Sequence, residues 1–275
     1  MANGKLLVVV IRTPKSDRYL PIESLFKDDQ RFKLEYIEAS MTPSYSEVSN
    51  RRITYSTEIF EYFQGRKLTP AEIGCADSHN RARDLIKSYA TGGVILEDDA
   101  RIINIDSFFI MATEFLSFQN SKLSILNLTG FRNIGLEASK NRSTNNNRYI
   151  KLWGSPDLAV SYALTQKAAG ELLKSNTPII GVSDWPHSKC YYFVPLIPLV
   201  QHGDKNTQSI IDSAKNNFRV SNSFVRKISD LLFIKYIFNG QHNIDLFQYM
   251  RSAYWDKITW HVDYVRIKLR LGLIN

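Results

Sequence analysis

Three adjacent carboxylates, Glu97, Asp98 and Asp99, directly follow the apolar run 94–96. Like charges a few ångströms apart destabilise one another unless a cation neutralises them, and a divalent metal ion can do so. In an extended segment alternate side chains point to opposite sides, so Glu97 and Asp99 share one side while Asp98 makes a different contact. Oxygen ligands suit Mg²⁺ or Mn²⁺. A solvated acidic turn is the alternative, and this segment alone leaves both interpretations open.

A helix is predicted just upstream of the acidic segment. Thr69, Pro70 and Glu72 supply an N-cap, a proline at the first helical position and a glutamate three residues after the cap. The helix should continue to about Tyr89 and end before the glycines at 92–93. The acidic strand end therefore follows a well-capped helix.

Two polar residues of this helix, Ser78 and His79, fall on or beside its apolar stripe. At about 100° per residue, that stripe is formed by Cys75, Ala82, Leu85, Ile86 and Tyr89. Polar residues that interrupt a core-facing stripe cluster at functional sites. A core histidine hydrogen-bonded to the backbone is the structural alternative for His79.

Apolar runs alternate with helical patterns over residues 1–218, which predicts one layered α/β domain. The continuous run 6–11 is typical of a strand buried on both faces of a mainly parallel sheet. The other predicted elements are strands at 32–39, 93–96, 123–128 and 158–164, helices at 108–118 and 166–173, and loops at 41–52 and 133–148. The polar residues after the first strand therefore lie at its carboxyl end.

Residues 219–275 form a separate extension with long amphipathic segments that predict helices. The extension contains nine Lys or Arg residues and four Asp residues, whereas the whole chain has 35 Lys plus Arg and 27 Asp plus Glu, a net charge of +8. Its bases lie among aromatics that include Phe247, Tyr254, Trp255 and Trp260. This composition suits an anionic membrane surface. A helical cap with a solvated basic face, packed on the catalytic domain, is the alternative.

The basic charge favours an anionic partner, either nucleic acid, an anionic membrane or a phosphorylated substrate. No nucleic-acid-binding motif appears, so nucleic acid is not expected. The two cysteines, Cys75 and Cys190, have no CxxC spacing and suit a reduced compartment. No apolar run approaches the roughly 20 residues that cross a bilayer. We therefore expect a cytoplasmic protein, peripheral at the cytoplasmic face of the inner membrane.

Several sequence blocks in a fixed order carry a family resemblance. The blocks LTPAEIGCA at 68–76, SH at 78–79 and VILEDDA at 94–100 resemble glycosyltransferase family 25. This family comprises lipopolysaccharide and lipooligosaccharide glycosyltransferases related to collagen galactosyltransferases. The similarity extends back to Arg12 and Arg18 and forward through AVSYALT at 159–165 to about residue 212, so the C-terminal extension lies outside it.

The resemblance implies a GT-A-like fold, a nucleotide-sugar donor such as UDP-galactose, a divalent cation at the acidic motif and inversion at the anomeric carbon. The implied reaction transfers a hexose to a lipid-linked oligosaccharide acceptor of the lipopolysaccharide or lipooligosaccharide core. A metal-dependent phosphohydrolase or nuclease is one alternative, because an acidic strand end with a histidine serves those enzymes too. A basic nucleic-acid-binding module is another, suggested by the charge alone.

Residue roles follow from the same analogy. Asp99 is the best candidate metal ligand, Glu97 the second, and Asp98 is expected to contact the ribose or the donor sugar. The nucleotide base and ribose would be held by Arg12 and Thr13. The donor pocket would be lined by Ser78, His79 and Arg81. Asp77 stands where the family commonly has an apolar residue, which is a departure near this pocket.

Direct displacement also requires a base that deprotonates the acceptor hydroxyl. Asp184 aligns with a later aspartate of the family and is the candidate, and Trp185 beside it offers a face for a sugar ring. A helix-capping aspartate next to a core tryptophan, or a contact to the donor sugar, are the alternatives for Asp184. His202 is expected either to complete the metal ligands or to be an ordinary loop histidine.

Overall fold

The computed structural model describes residues 4–57, 60–61, 66–129, 148–151, 159–183 and 190–203. The described strands are β1 (Leu6–Arg12), β2 (Phe32–Glu38), β3 (Gly93–Glu97), β4 (Ala100–Ile102), β5 (Ser124–Asn127), β6 (Tyr149–Lys151), β7 (Ser161–Leu164), β8 (Tyr191–Pro195) and β9 (Val200–His202). The described helices are α1 (Leu20–Phe26), α2 (Tyr45–Asn50), α3 (Pro70–Lys87), α4 (Ile105–Gln119) and α5 (Gln166–Ser175).

Seven strands form the central sheet in the order β2-β1-β3-β7-β5-β8-β6. Strands β2, β1, β3, β5 and β8 run in one direction, while β7 and β6 run antiparallel to their neighbours. Strands β4 and β9 pair separately as a short antiparallel ladder. The architecture is a mixed, mainly parallel sheet flanked by helices, which confirms the predicted α/β class and is consistent with a GT-A-like fold.

Strand β1 is buried on both faces, as its continuous apolar run predicts. Val8 and Val10 pack in a cluster that also contains Phe108 of α4. Val9 packs in a second cluster that also contains Ile86 of α3. The alternating side chains of one strand therefore join the helices on both sides of the sheet, which fixes the position of the strand's carboxyl end.

Helix α3 begins as the sequence predicts. The Thr69 side chain accepts a hydrogen bond from the Glu72 backbone, and the Glu72 side chain accepts one from the Thr69 backbone, which completes the capping box. At Gly74 the helix passes so close to residues 40–42 that an added Cβ would lie 2.1 Å from the Ser40 carbonyl oxygen. Glycine is required here by this close approach.

The prediction of a loop over 41–52 is wrong in part, because α2 occupies Tyr45–Asn50. The Ser44 side chain caps this helix by accepting from the Glu47 backbone, and Val48 anchors it in a small apolar cluster with Ile73. One apolar residue in a polar stretch carries too weak a periodicity to predict a helix. The predicted loop over 133–148 and the predicted C-terminal extension lie outside the described residues, except for Arg148.

Candidate functional site

The acidic segment lies where two neighbouring parallel strands end. Strand β3 ends at Glu97, which is in register with Ile11 of β1. The residues that follow β1 therefore lie beside the residues that follow β3. In open α/β sheets this edge, at the carboxyl ends of the strands, is where ligands bind.

Asp98 holds the segment that follows β1. Its Oδ2 accepts a hydrogen bond of 2.8 Å from the Thr13 backbone N–H, and its Oδ1 lies 3.6 Å from Nε of Arg18. Asp98 is 5% exposed. Its carboxylate thus ties the ends of β1 and β3 together, on the side expected to hold the nucleotide.

Asp99 carries the clearest open ligand position among the described residues. Its Oδ2 accepts a hydrogen bond of 2.7 Å from Arg18 and lies 3.5 Å from Nε2 of His202. Its Oδ1 is buried and has no hydrogen-bond partner among those residues. A buried carboxylate oxygen without a partner is costly, and a divalent cation would satisfy it.

Glu97 contacts a histidine, and its surroundings disfavour its charged form. Its Oε1 lies 3.0 Å from Nε2 of His79. Burial and, after it, the nearby charge of Asp99 raise the pKa of Glu97 to about 7. A cation beside Glu97 and Asp99 would favour the charged form of both.

Hydrogen bonds among the buried residues His79, Tyr162 and Arg83 lead to Glu97. Nδ1 of His79 lies 3.0 Å from the Tyr162 hydroxyl, which also accepts a hydrogen bond of 3.2 Å from Nε of Arg83. Because arginine only donates, the Tyr162 hydroxyl can give its own proton to Nδ1, and Nε2–H then donates to Glu97. Burial raises the pKa of Tyr162 to about 12, which keeps this hydroxyl protonated.

The sequence model of glycosyltransferase family 25, described as LPS biosynthesis protein, matches residues 15–186, well over half of the chain. The chain belongs to glycosyltransferase family 25. The match includes the acidic segment, helix α3 and Tyr162. No curated protein shows a significant match to the sequence. Family membership decides between a glycosyltransferase and the alternatives of phosphohydrolase, nuclease or nucleic-acid-binding module in favour of the glycosyltransferase, which acts on a sugar donor and an acceptor.

The predicted site residues of this glycosyltransferase fall into two groups. Glu97, Asp98 and Asp99 meet the carboxyl end of β1, where Arg12 and Thr13 lie. The guanidinium of Arg12 lies over the rings of two aromatic residues, 5.6 Å from the Tyr19 centroid and 5.4 Å from the Tyr36 centroid. The base that pairs with the carboxylates of this group is Arg18, which contacts both Asp98 and Asp99.

The second group, on α3, consists of Ser78, His79 and Arg81, of which the first two are buried and the third is exposed. Ser78 is 1% exposed, accepts a hydrogen bond from the Ser40 backbone and donates to the Gly74 carbonyl. His79 is 0% exposed. Arg81 is exposed and donates to the Glu38 carbonyl. The role of all three in lining the donor pocket stays a prediction, because their described contacts are with the protein itself.

His202 ends strand β9 and is therefore not a loop histidine. The pairing of β9 with β4 brings it to Asp99, and an added Cβ on Gly203 would lie 2.7 Å from the Asp99 carbonyl oxygen. Asp184, the predicted base, and its neighbour Trp185 lie outside the described residues. Their assignment stays a prediction.

Sequence reasoning missed the groups that support the carboxylates. Arg83 is fully buried and links Tyr162 to the Ser183 carbonyl. The helical stripe offers a signal, since position 83 follows His79 by one turn. Tyr162 lies within the block 159–165 that resembles the family, but nothing local indicates its contact with His79, because that contact forms only when the sheet does.

Proposed function

We propose that this family 25 glycosyltransferase transfers a hexose from a nucleotide diphosphate sugar, with UDP-galactose as the first candidate donor. The acceptor is the lipid-linked oligosaccharide core of lipopolysaccharide or lipooligosaccharide. The observation that supports this best is the buried, unpartnered Oδ1 of Asp99 beside Glu97 at the end of β3. Hard oxygen ligands at this edge of the sheet suit a cation that accompanies a diphosphate.

The carboxylate oxygens of Asp99 and Glu97 suit Mn²⁺ or Mg²⁺ as metal ligands. Asp99 would hold the ion through Oδ1, and Glu97 would approach it from the end of β3. When bound, such a cation neutralises the charge of the nucleoside diphosphate leaving group. Arg18 holds the other oxygen of Asp99 and thereby directs Oδ1 toward the ligand.

The nucleotide would lie against the end of β1. Arg12 and Thr13 are there to contact the base and ribose, and the rings of Tyr19 and Tyr36 hold the Arg12 guanidinium in place. Asp98 fixes the Thr13 backbone, so it orders this segment as well as being a candidate contact to ribose or sugar. Ser78, His79 and Arg81 would complete the donor side from α3.

Inversion requires one displacement at the anomeric carbon. Asp184 would take the proton from the acceptor hydroxyl, whose oxygen would attack the anomeric carbon from the face opposite the leaving group. The bond from that carbon to the diphosphate oxygen would break as the new glycosidic bond forms. The position of Asp184 within the region that matches the family supports this assignment.

A thermal-shift panel tests the proposal directly. UDP-, GDP- and CMP-sugars are each added with and without Mn²⁺, and a UDP-sugar is expected to raise the melting temperature only when Mn²⁺ is present. Release of UDP should then fall by about 100-fold or more in Asp99→Asn, because even residues that only support metal ligands cost about 10–100-fold. The matched control is Asp84→Asn, on the exposed face of α3, which should keep full activity. Stabilisation by none of the sugars would overturn the proposed donor.

A further inference from the structure

Helix α3 and strand β3 bring together a cysteine, a histidine and a glutamate. Cys75 and His79 are four residues apart on α3 and so lie on one face of the helix, while Glu97 ends β3. One ligand atom of each lies within 4.8 Å of the others. Within the described part of the chain, no other group of three metal-ligating residues is this close.

Neighbouring groups orient these side chains. The Tyr162 hydroxyl holds Nδ1 of His79 at 3.0 Å and leaves Nε2 directed at Glu97. The Cys75 thiol donates to the Ser183 hydroxyl at 3.1 Å. Metal-binding histidines commonly donate their other ring N–H to a second group, which fixes the ring orientation. With an ion on Nε2, the proton of the His79 ring would lie on Nδ1 and be donated to the Tyr162 oxygen, 3.0 Å away.

We propose that Cys75, His79 and Glu97 form a binding site for Zn²⁺ or a similar thiophilic divalent ion, distinct from the oxygen-ligand position at Asp99. Thiolate and imidazole select Zn²⁺ over Mg²⁺ and Mn²⁺. On binding, the thiol of Cys75 releases its proton to solvent, and the proton of the His79 ring shifts from Nε2 to Nδ1, so that one thiolate, one carboxylate and a neutral imidazole balance the charge of the ion. A fourth position remains for water, as in zinc sites with three protein ligands.

The spacing of the group is close to that of a zinc site. Bonds of about 2.0–2.3 Å place two tetrahedral ligand atoms roughly 3.3–3.6 Å apart. The largest spacing in the group is within 4.8 Å, so contraction of about 1 Å by side-chain rotation suffices. The His79–Glu97 distance of 3.0 Å would have to lengthen by only a few tenths of an ångström.

The site shares Glu97 with the position proposed for the donor's cation. Zn²⁺ held by Cys75 and His79 would keep Glu97 from that cation and so inhibit sugar transfer. This consequence rests on the proposed function, whereas binding of Zn²⁺ does not. Inhibition is therefore expected in the wild type and lost in Cys75→Ser, because the proposed transfer uses no group of Cys75.

Cobalt provides the first test, because a thiolate bound to Co²⁺ gives a charge-transfer band in the near ultraviolet. The full chain, reduced and freed of metal by a chelator, is titrated with Co²⁺. One equivalent should produce the band, and Zn²⁺ should abolish it. The band should persist in Cys190→Ser and disappear in Cys75→Ser. Because the chain has two cysteines, a missing band in the wild type, or a band retained in Cys75→Ser, would overturn the proposal.

A second test leaves the site unchanged and so does not depend on the folding of Cys75→Ser. In Cys190→Ser, Cys75 is the sole cysteine and is half-buried. Zn²⁺ should slow its alkylation by iodoacetamide by about tenfold or more, because a metal-bound thiolate is withdrawn from attack. Excess chelator should restore the rate, and Mg²⁺ should have no effect. An unchanged rate with Zn²⁺ would overturn the site even if transfer of a UDP-sugar is observed, and protection without transfer would support it while the proposed function fails.

Discussion

The surroundings of Glu97 favour its neutral form, whereas its proposed role as a metal ligand requires the charged form. Its side chain is partly buried beside Asp99, and the loss of solvent around the carboxylate, followed by the charge of Asp99, raises the pKa of Glu97 to about 7. A charged Glu97 is therefore unfavourable for the folded chain in the absence of a cation, yet a cation ligand must be charged. Such a residue is expected to reduce stability in return for function.

The first prediction concerns Glu97→Gln in the presence of chelator. The folded protein keeps the Glu97 proton up to about pH 7, whereas the unfolded chain loses it near the ordinary value of 4.5. Wild type should therefore lose stability as the pH rises from about 4.5 to about 7 and stay lower above it. Glu97→Gln lacks this loss, so urea unfolding should show equal free energies at low pH and a more stable variant at about pH 8. A less stable variant at about pH 8 would contradict the raised pKa.

The second prediction concerns Tyr162→Phe, which removes the hydroxyl between His79 and Arg83. Leaving their buried nitrogens without this partner should cost about 1–3 kcal/mol in free energy of unfolding. Because His79 then loses its orientation toward Glu97, the rate of sugar transfer should fall as well. The control is Tyr149→Phe, a buried tyrosine with ring contacts to Phe115 and Phe193. Similar losses of stability and transfer rate in both variants would show that the Tyr162 hydroxyl contributes no more than that of another buried tyrosine.

At the scale of elements, pairing brings together residues that are far apart in sequence. The parallel register of β1 with β3 places Thr13 beside Asp98, and the ladder of β4 with β9 places His202 beside Asp99. The strong local signals, an apolar run and a capping box, were sufficient to predict β1, β3 and the start of α3.

The remaining contacts could not be predicted in the same way, because they depend on tertiary structure. The family resemblance alone singles out Arg18, and no local pattern predicts its contact with Asp99, which forms when the segment after β1 folds back onto the acidic turn. From sequence, His202 follows a strand-like segment and suits a loop, whereas the three-residue strand β9 extends to His202 itself. The sequence is thus sufficient to identify the carboxylates, whereas the partners of each carboxylate depend on how the chain folds around the sheet.

The third prediction compares two glycines in helices. In α3, Gly74→Ala would place a Cβ 2.1 Å from the Ser40 carbonyl oxygen and 2.2 Å from Oγ1 of Thr42. Because backbone must move, the change should destabilise the protein by about 1–3 kcal/mol. In α5, Gly170→Ala meets only the flexible end of Lys87, at 4.0 Å, and should stabilise by about 0.5–1 kcal/mol. Urea unfolding of both variants measures the two signs. Equal effects would mean that residues 40–42 do not constrain α3.

At the scale of the whole molecule, the charge is unevenly distributed. Five of the net eight positive charges belong to residues 219–275, from nine bases and four acids. No helix among the described residues is long and apolar enough to cross a bilayer. We propose that the basic, aromatic-rich extension carries the catalytic domain to an anionic membrane surface, where a lipid-linked acceptor would be found.

The last prediction tests this extension in the full chain by neutralising four of its bases to glutamine: Lys257, Arg266, Lys268 and Arg270. The matched control neutralises four exposed lysines of the catalytic domain: Lys27, Lys67, Lys87 and Lys174. Each basic residue near an anionic surface contributes about 1 kcal/mol, so the loss of four should weaken binding to phosphatidylglycerol-containing vesicles by about 4 kcal/mol, or nearly 1,000-fold. Both variants lose the same formal charge, so only the position of the charge distinguishes them. Equal weakening in vesicle co-sedimentation would mean that net charge, and not the extension, attracts the protein to the membrane. Unchanged binding by the first variant would favour a helical cap with a solvated basic face.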